Sequence, residues 1–439
     1  MSRAAAGYLS TRWRFLLAQF VKRIWFRASL FSFGAIAIAL FGTLLPSVYH
    51  LPLEIELAAG SVNSILTILA SSMLAVTTFS LSIMVSAYAA AANNSTPRAT
   101  SLLIEDSVAS NTLATFVGSF LFSIVGIVGL SAQLYGREGR LLLFFSTLVV
   151  LFLVTAALLR WIEQLTRFGR VADTIRRVEQ AASRAAGHWA RQPRLGAMPA
   201  PESYPEEAVS LYREAGGYVR HVDMEALDGL ARQVETSVHV LMMPGDFVSP
   251  DTALALVETE PDSHVRHEME RCFSIGPDRS YNQDPTFGLV VLSEIASRAL
   301  SPAVNDPGTA IQVLGAGVRV FQNYCDGLDE ERQAMFESVT APDMPYGEML
   351  EDFFGPIARD GAGLLEVQTR LQRCLEMIAL ANRTHFGEPA KRLAAIALKR
   401  ALEKLDSPLE EARLKRSFGW ELPDPVTGRR EGDGEGGQR

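Results

Sequence analysis

The side chains able to do chemistry fall into a few groups. His264 and His267, flanked by Asp262, Glu268 and Glu270, stand three apart, a spacing that puts both imidazoles on one helix face. A zincin-type site needs histidines four apart and a third ligand, so this pair reads as a solvated face. Gly315-Ala316-Gly317 lacks the strand and third glycine of a dinucleotide loop and reads as a packing feature. There is no G-x-x-x-x-G-K-[ST] loop and no G-x-S-x-G elbow. The expectation is a protein that is not an enzyme and holds no metal or cofactor.

Two constellations remain. Arg279, Gln283, Asp284, Ser301, Asn305 and Asp306 could converge on a polar ligand. They also have a structural reading. Asp284-Pro285 and Asp306-Pro307 look like Asp N-caps with Pro at the first helical position, and Ser301-Pro302 looks like a turn. Caps explain the aspartates but not Arg279 or Gln283.

The second constellation is a hydroxyl stripe between Ser64 and Asn94, a stretch without Asp, Glu, Lys, Arg or His. At about 100° per residue, Ser64, Thr67, Ser71, Ala75, Thr78, Ser82, Ser86, Ala89 and Asn93 fall within roughly 60° of one line. Lipid offers hydroxyls no partner, so the stripe should face protein or water. In an oligomer it could line a pore, with Arg98 at the cytosolic mouth; otherwise it is a helix-packing face. Thr112, Thr115, Ser119, Ser123, Gly126 and Gln133 repeat the pattern, and the two faces are expected to pack together.

The elements that carry these residues divide the chain. Residues 1–27 form a cationic amphipathic lead-in suited to anionic headgroups, not a cleavable signal. Residues 28–165 hold four expected spans, near 28–45, 64–94, 113–134 and 141–159. The last is bulky and apolar nearly all round, hence lipid-facing, with Trp161 as interfacial anchor. Lys and Arg flank the first and last spans, which places both termini in the cytosol. Residues 166–205 read as a helix running to about Trp189 and then a Pro-rich linker.

Residues 206–280 read as a small α/β domain: strands 217–222, 237–243, 253–257 and 272–275, with a helix at 224–234 and a Pro244-Gly245-Asp246 turn. Residues 281–421 read as helical, with helices near 286–300, 308–324, 346–359, 362–382 and 389–405. A Gly-rich charged tail, 422–439, reads as disordered. Cys272, Cys325 and Cys374 lie far apart without Cys-x-x-Cys spacing and read as buried, reduced thiols of a cytosolic compartment, not as a disulfide framework or a zinc site. The net charge of −8 gives no support to a nucleic-acid partner.

The segment RALSPAVNDPGTA (298–310), Arg279-Ser280, Gln283-Asp284, SSMLAVTTFSLSIMVSAY (71–88), Ser95-Thr96-Pro97-Arg98 and Pro244-Gly245-Asp246-Phe247-Val248 resemble a bacterial family of predicted membrane proteins known as a domain of unknown function. The resemblance runs over roughly residues 30–385 and implies a membrane-embedded N-terminal half with a cytosolic C-terminal domain. It transfers no activity and no catalytic residue. The expected fold class is thus an integral membrane α-helical domain of four transmembrane helices, a cytosolic α+β domain and a helical C-terminal region. The expected protein is a multi-pass component of the bacterial inner membrane, a homo-oligomer in the lipid bilayer. Either it is channel-like, with a cytosolic assembly or gating domain, or it is a membrane-anchored sensory or scaffold module.

Overall fold

The computed structural model describes residues 59–104, 107–167, 169–328 and 333–420, together with the single positions Ser29, Phe33, Gly34 and Ala37. The expected lead-in, the tail and, apart from those four positions, the first expected span lie outside the described residues. The chain divides into two units: Met1–Asn93 with Pro97–Asp173, and Asn94–Thr96 with Thr174–Arg439.

The first unit contains α1 (Ala59–Asn94), α2 (Pro97–Ile104), α3 (Ser107–Ser131) and α4 (Arg137–Arg167). Three stretches, Ser61–Asn93, Val108–Ser131 and Gly139–Thr166, are long and apolar enough to cross a membrane. A helix is the form such a stretch takes in lipid, because it satisfies every backbone group internally. On α1, Val62, Leu66, Leu69, Met73 and Met84 are buried, a helical spacing that turns one side inward. They join Phe116 and Phe122 of α3 and Leu143, Val154 and Trp161 of α4 in two clusters. Gly126 stands at this junction, where a Cβ would lie 2.9 Å from Leu66 and 3.4 Å from Leu143. A side chain there would displace the end of the Leu66 side chain.

Two expectations about these helices need correction. Trp161 is only 3% exposed and belongs to the helix seam, not to an interfacial belt. An indole on the inner side of α4 is buried by packing within the helix cluster, which the periodicity of a uniformly apolar helix cannot reveal. Phe145, Leu148, Val149, Phe152, Leu153 and Leu159 give α4 its exposed apolar face. The helix expected to run on to Trp189 is broken at Gly169, whose φ of +77° suits only glycine without strain, and α5 (Val171–Arg191) starts anew.

In the second unit two sheets form. Strands β1 (Ala197–Pro199), β2 (Val209–Leu211), β3 (Gly217–Val222), β4 (Val238–Val240), β5 (Phe247–Val248), β6 (Ala255–Val257), β7 (Phe273–Gly276) and β8 (Phe336–Ala341) are joined as β1-β8-β4-β6-β2 and β5-β3-β7. β8 pairs in parallel with β1 and β4, and the other pairings are antiparallel. Helix α6 (Met224–Gln233) packs on β8, where the buried Asp228 accepts the Ser338 N–H at 3.0 Å. α7 (Ser263–Arg271) precedes β7. β1 lies in the stretch expected as linker and β8 in the region expected to be helical. The three residues of β1 are too few to show alternation, and β1 takes its strand character from its pairing with β8.

The remaining helices are α8 (Phe287–Ala299), α9 (Pro307–Leu328), α10 (Tyr346–Asp360), α11 (Leu365–Ala381), α12 (Arg383–Leu402) and α13 (Pro408–Lys415). Phe321, Phe353, Phe354 and Phe386 form a fully buried aromatic centre. Gly317 lies against it, and a Cβ there would overlap the Phe353 ring. α12 starts six residues before the expected Pro389, because Asn382 caps it by accepting the His385 N–H at 3.0 Å.

Candidate functional site

All nine residues of the α1 stripe are exposed, from Ser64 and Thr67 through Ser71, Ala75, Thr78, Ser82, Ser86 and Ala89 to Asn93. At about 100° per residue the stripe lies opposite Leu66, Met73 and Met84, the side that packs on α3 and α4. It is rimmed by exposed Ile68, Leu74, Phe79 and Val85. Its hydroxyls turn onto their own helix: Thr67 donates to Asn63 O at 2.8 Å, Ser71 to Thr67 O at 3.0 Å, Thr78 to Leu74 O at 3.0 Å and Ser82 to Thr78 O at 3.1 Å. Such back-bonding satisfies the donors without a partner helix.

The matching face on α3 behaves differently. Thr112, Ser119 and Ser123 are buried, with Ser119 donating to Thr115 O and Ser123 to Ser119 O. The expected pairing of the two hydroxyl faces is therefore corrected. The α3 face is packed within the chain, while α1 turns its apolar side inward, where burial yields more, and leaves its stripe outward. Asn93 and Arg98 are exposed near the α1–α2 junction.

The second candidate lies where β3, β5 and the start of α8 meet. Arg279 Nε donates to Asp284 Oδ2 at 2.7 Å and its Nη2 to Oδ1 at 2.9 Å, a bidentate pair with Asp284 only 1% exposed. Asp284 Oδ1 also accepts from the Thr286 and Phe287 N–H groups and the Thr286 hydroxyl. The guanidinium donates further to Thr286 Oγ1 and lies 5.3 Å from the Phe287 ring centroid. Gln283 grips β3, accepting from Val222 N at 2.9 Å and donating to Val222 O at 3.3 Å.

The Pro244-Gly245-Asp246 turn closes over this pair. Gly245 has φ +110°, and a Cβ there would stand 2.8 Å from Asp284 Oδ2 and 3.1 Å from Arg279 Nη2. Only glycine meets both demands. Asp246 Oδ2 accepts the Met243 N–H at 2.7 Å. Partial burial of its carboxyl pushes Asp246 above the usual carboxylate range; Met243 N–H opposes this, Asp284 and Glu348 reinforce it, and Arg279 opposes it. Asp352 is raised in the same way, first by burial. Both residues are exposed as a whole, so solvent screens these effects.

Arg279 is thus surrounded by Asp246, Asp284, Glu348 and Asp352. The last two escaped the sequence reading, although their i, i+4 spacing on an expected helix was the available signal. With Asp284 accepting five hydrogen bonds, this arrangement clamps a loop to a sheet and has little capacity left for a ligand. It draws together two pieces of the family resemblance, Pro244–Val248 and Arg279–Asp284.

Ser301, Asn305 and Asp306 do not join them. They follow the C-terminal end of α8, and its 13 residues separate them from Asp284 by about 20 Å at 1.5 Å per residue. Ser301 donates to Arg298 O at 2.7 Å, and Asn305 takes a left-handed φ of +48°. Asp306 caps α9, accepting from Thr309 N at 3.1 Å and Thr309 Oγ1 at 2.6 Å. Those bonds, the hydroxyl first, hold Asp306 below the usual carboxylate range. His264 and His267 are exposed on α7.

Comparison with known proteins supports the membrane assignment. Uncharacterized proteins of Mycobacterium bovis and Mycobacterium tuberculosis are each 37% identical to the chain over 120 residues, 26% of this chain. The chain spans about a quarter (23%) of the length of these relatives. No solved structure matches it. A family model described as "Predicted membrane protein (DUF2254)" matches residues 21–377, and with that match over most of its length the chain belongs to this family.

Proposed function

We propose that copies of this protein associate in a bacterial inner membrane around the hydroxyl face of α1, giving an oligomeric, channel-like assembly. The observation that carries this reading is the position of the stripe opposite the packed side of α1, exposed along its whole length in a single chain. Small residues leave a shallow groove into which a neighbouring backbone can approach, and exposed hydroxyls suit a protein or water environment better than lipid. The distribution of Lys and Arg supports cytosolic termini, with the second unit as assembly or gating domain.

Single replacements Ser71→Cys, Thr78→Cys and Ser82→Cys test the proposal, with Phe152→Cys on the exposed apolar face of α4 as control. Oxidative cross-linking between copies together with modification by a charged, water-soluble methanethiosulfonate is the expected result for the stripe. Cross-linking without modification would retain the oligomer but remove the aqueous path, leaving the α1 faces as packing surfaces of a membrane-anchored module. Stripe cysteines as silent as Phe152→Cys in both assays would overturn the assembly.

A further inference from the structure

We infer that the second unit binds a phosphate-bearing polyanion in a cleft between α11 and α13, where Arg370 and Arg373 face Arg413 and Arg416. The cleft has a volume of about 690 Å³, and Ile311 of α9 and Leu365 contribute apolar lining. Thr369, Arg370 and Arg373 recur at a spacing that shares one face of α11. Arg413 and Arg416 stand three apart at the end of α13, again on one face. Two helices from different parts of the sequence therefore turn their guanidiniums on one space.

The charge of that space is unusual for this molecule. The chain as a whole is acidic, at −8, yet among the described residues lining the cleft Glu366 is the one carboxylate. Among the described residues no ion pair engages any of the four arginines, although Glu366 stands four residues from Arg370 on the same helix. The hydrogen bonds they make are to backbone, from Arg373 Nε to Ser417 O at 3.0 Å and from Arg416 Nε to Ala412 O at 3.1 Å. Those bonds use the Nε atoms and orient the guanidiniums while leaving their charge uncompensated.

Clustered guanidiniums repel one another, and an anion with several oxygens relieves that repulsion by accepting paired N–H groups. The space is larger than a single phosphate fills and has an apolar side at Ile311 and Leu365, so a polyphosphate, or a phosphodiester headgroup with an apolar part, fits better than orthophosphate. Arg413 and Arg416 lie beyond residues 21–377, the part of the chain that matches the family model. The inference is independent of the channel reading.

The test uses the full chain in phosphatidylcholine nanodiscs, titrated calorimetrically with inorganic tripolyphosphate. Saturable binding at one site per chain is expected, weakened at least tenfold by Arg370→Glu and by Arg413→Glu. Arg184→Glu, the same charge change on exposed α5, should leave it within twofold. Displacement of bound tripolyphosphate by dihexanoyl phosphatidylglycerol but not dihexanoyl phosphatidylcholine would assign the cleft to a lipid headgroup. Displacement by neither would assign it to a free polyphosphate. No binding by the wild-type chain, or an equal loss in all three variants, would overturn the proposal.

Discussion

Arg279 and Asp284 form a two-bond ion pair on which Gly245 is packed so closely that no other residue fits the turn above it. Removing the guanidinium would leave a buried carboxylate without its counter-charge, and Arg279→Ala is expected to cost about 3 kcal/mol. Arg279→Lys should recover only part of that loss, because an ammonium is a point charge and cannot make both bonds. Urea unfolding of the full chain in detergent, followed by tryptophan fluorescence, measures both. Equal stability of wild type and Arg279→Ala would refute the clamp.

Asp246 gives the clamp a pH dependence of defined sign. Its folded pKa is raised, so its contribution to stability is fully present below the ordinary carboxylate pKa and is lost as pH rises through the folded value. The wild type should therefore lose some stability on going from about pH 4 to pH 7 through this group. Asp246→Asn, which keeps an oxygen for the Met243 N–H, should flatten that part of the profile. Thermal unfolding at a series of pH values reads the difference.

Asp306 should act in the opposite direction. Its folded pKa is lowered, so its contribution is present above the ordinary carboxylate pKa and is lost as pH falls through the folded value. Asp306→Ala is expected to cost about 1 kcal/mol at neutral pH by removing the α9 cap. The cost should vanish in acid, where the wild-type carboxyl is protonated as well. Persistence of the full difference at low pH would show that the side chain acts otherwise.

Gly317 makes the aromatic centre of the helical region tight. Gly317→Ala would drive a methyl group into the Phe353 ring, and overpacking of this kind costs about 1–3 kcal/mol. Its neighbour Gly315 has no such obstruction, its nearest atom being Arg319 Nη1 at 3.6 Å. Gly315→Ala should instead be neutral or stabilising, since alanine favours a helix. Circular dichroism melts of the two variants separate packing from propensity.

The three thiols should be silent in the folded protein. Cys272, Cys325 and Cys374 are buried, and burial pushes the Cys374 thiol up to about 11. Ellman's reagent at pH 8 is expected to react with none of them before denaturant is added. Fast reaction of the native chain would contradict this, and would also require a cysteine-free background for labelling α1.

Much of the architecture follows from local pattern. The span around Ser64–Asn94 appears as α1 because its unbroken apolar composition leaves the helix as the economical way to bond its backbone. Strand β3, helix α6 and the Asp306 cap fall at or within a residue of their expected places, since alternation, amphipathicity and an Asp-Pro pair are signals contained within a few residues. β1 and β8 were not legible in this way. Their pairing is parallel and joins residues about 140 apart in sequence, a relation that neither segment encodes alone.

The candidate sites divide along the same line. The sequence by itself determines that α1 carries a hydroxyl stripe, that α3 carries another, and that Arg279 and Gln283 are not explained by capping. Only the tertiary structure decides that the α1 stripe is outward while the α3 face is packed, because burial depends on which side of each helix gains most from its neighbours. It also separates Arg279 and Asp284 from Asn305 and Asp306 by the length of α8, and gathers Arg370, Arg373, Arg413 and Arg416 around one cleft. Helical periodicity defines which residues share a face. Which faces meet is settled by packing between segments distant in the chain.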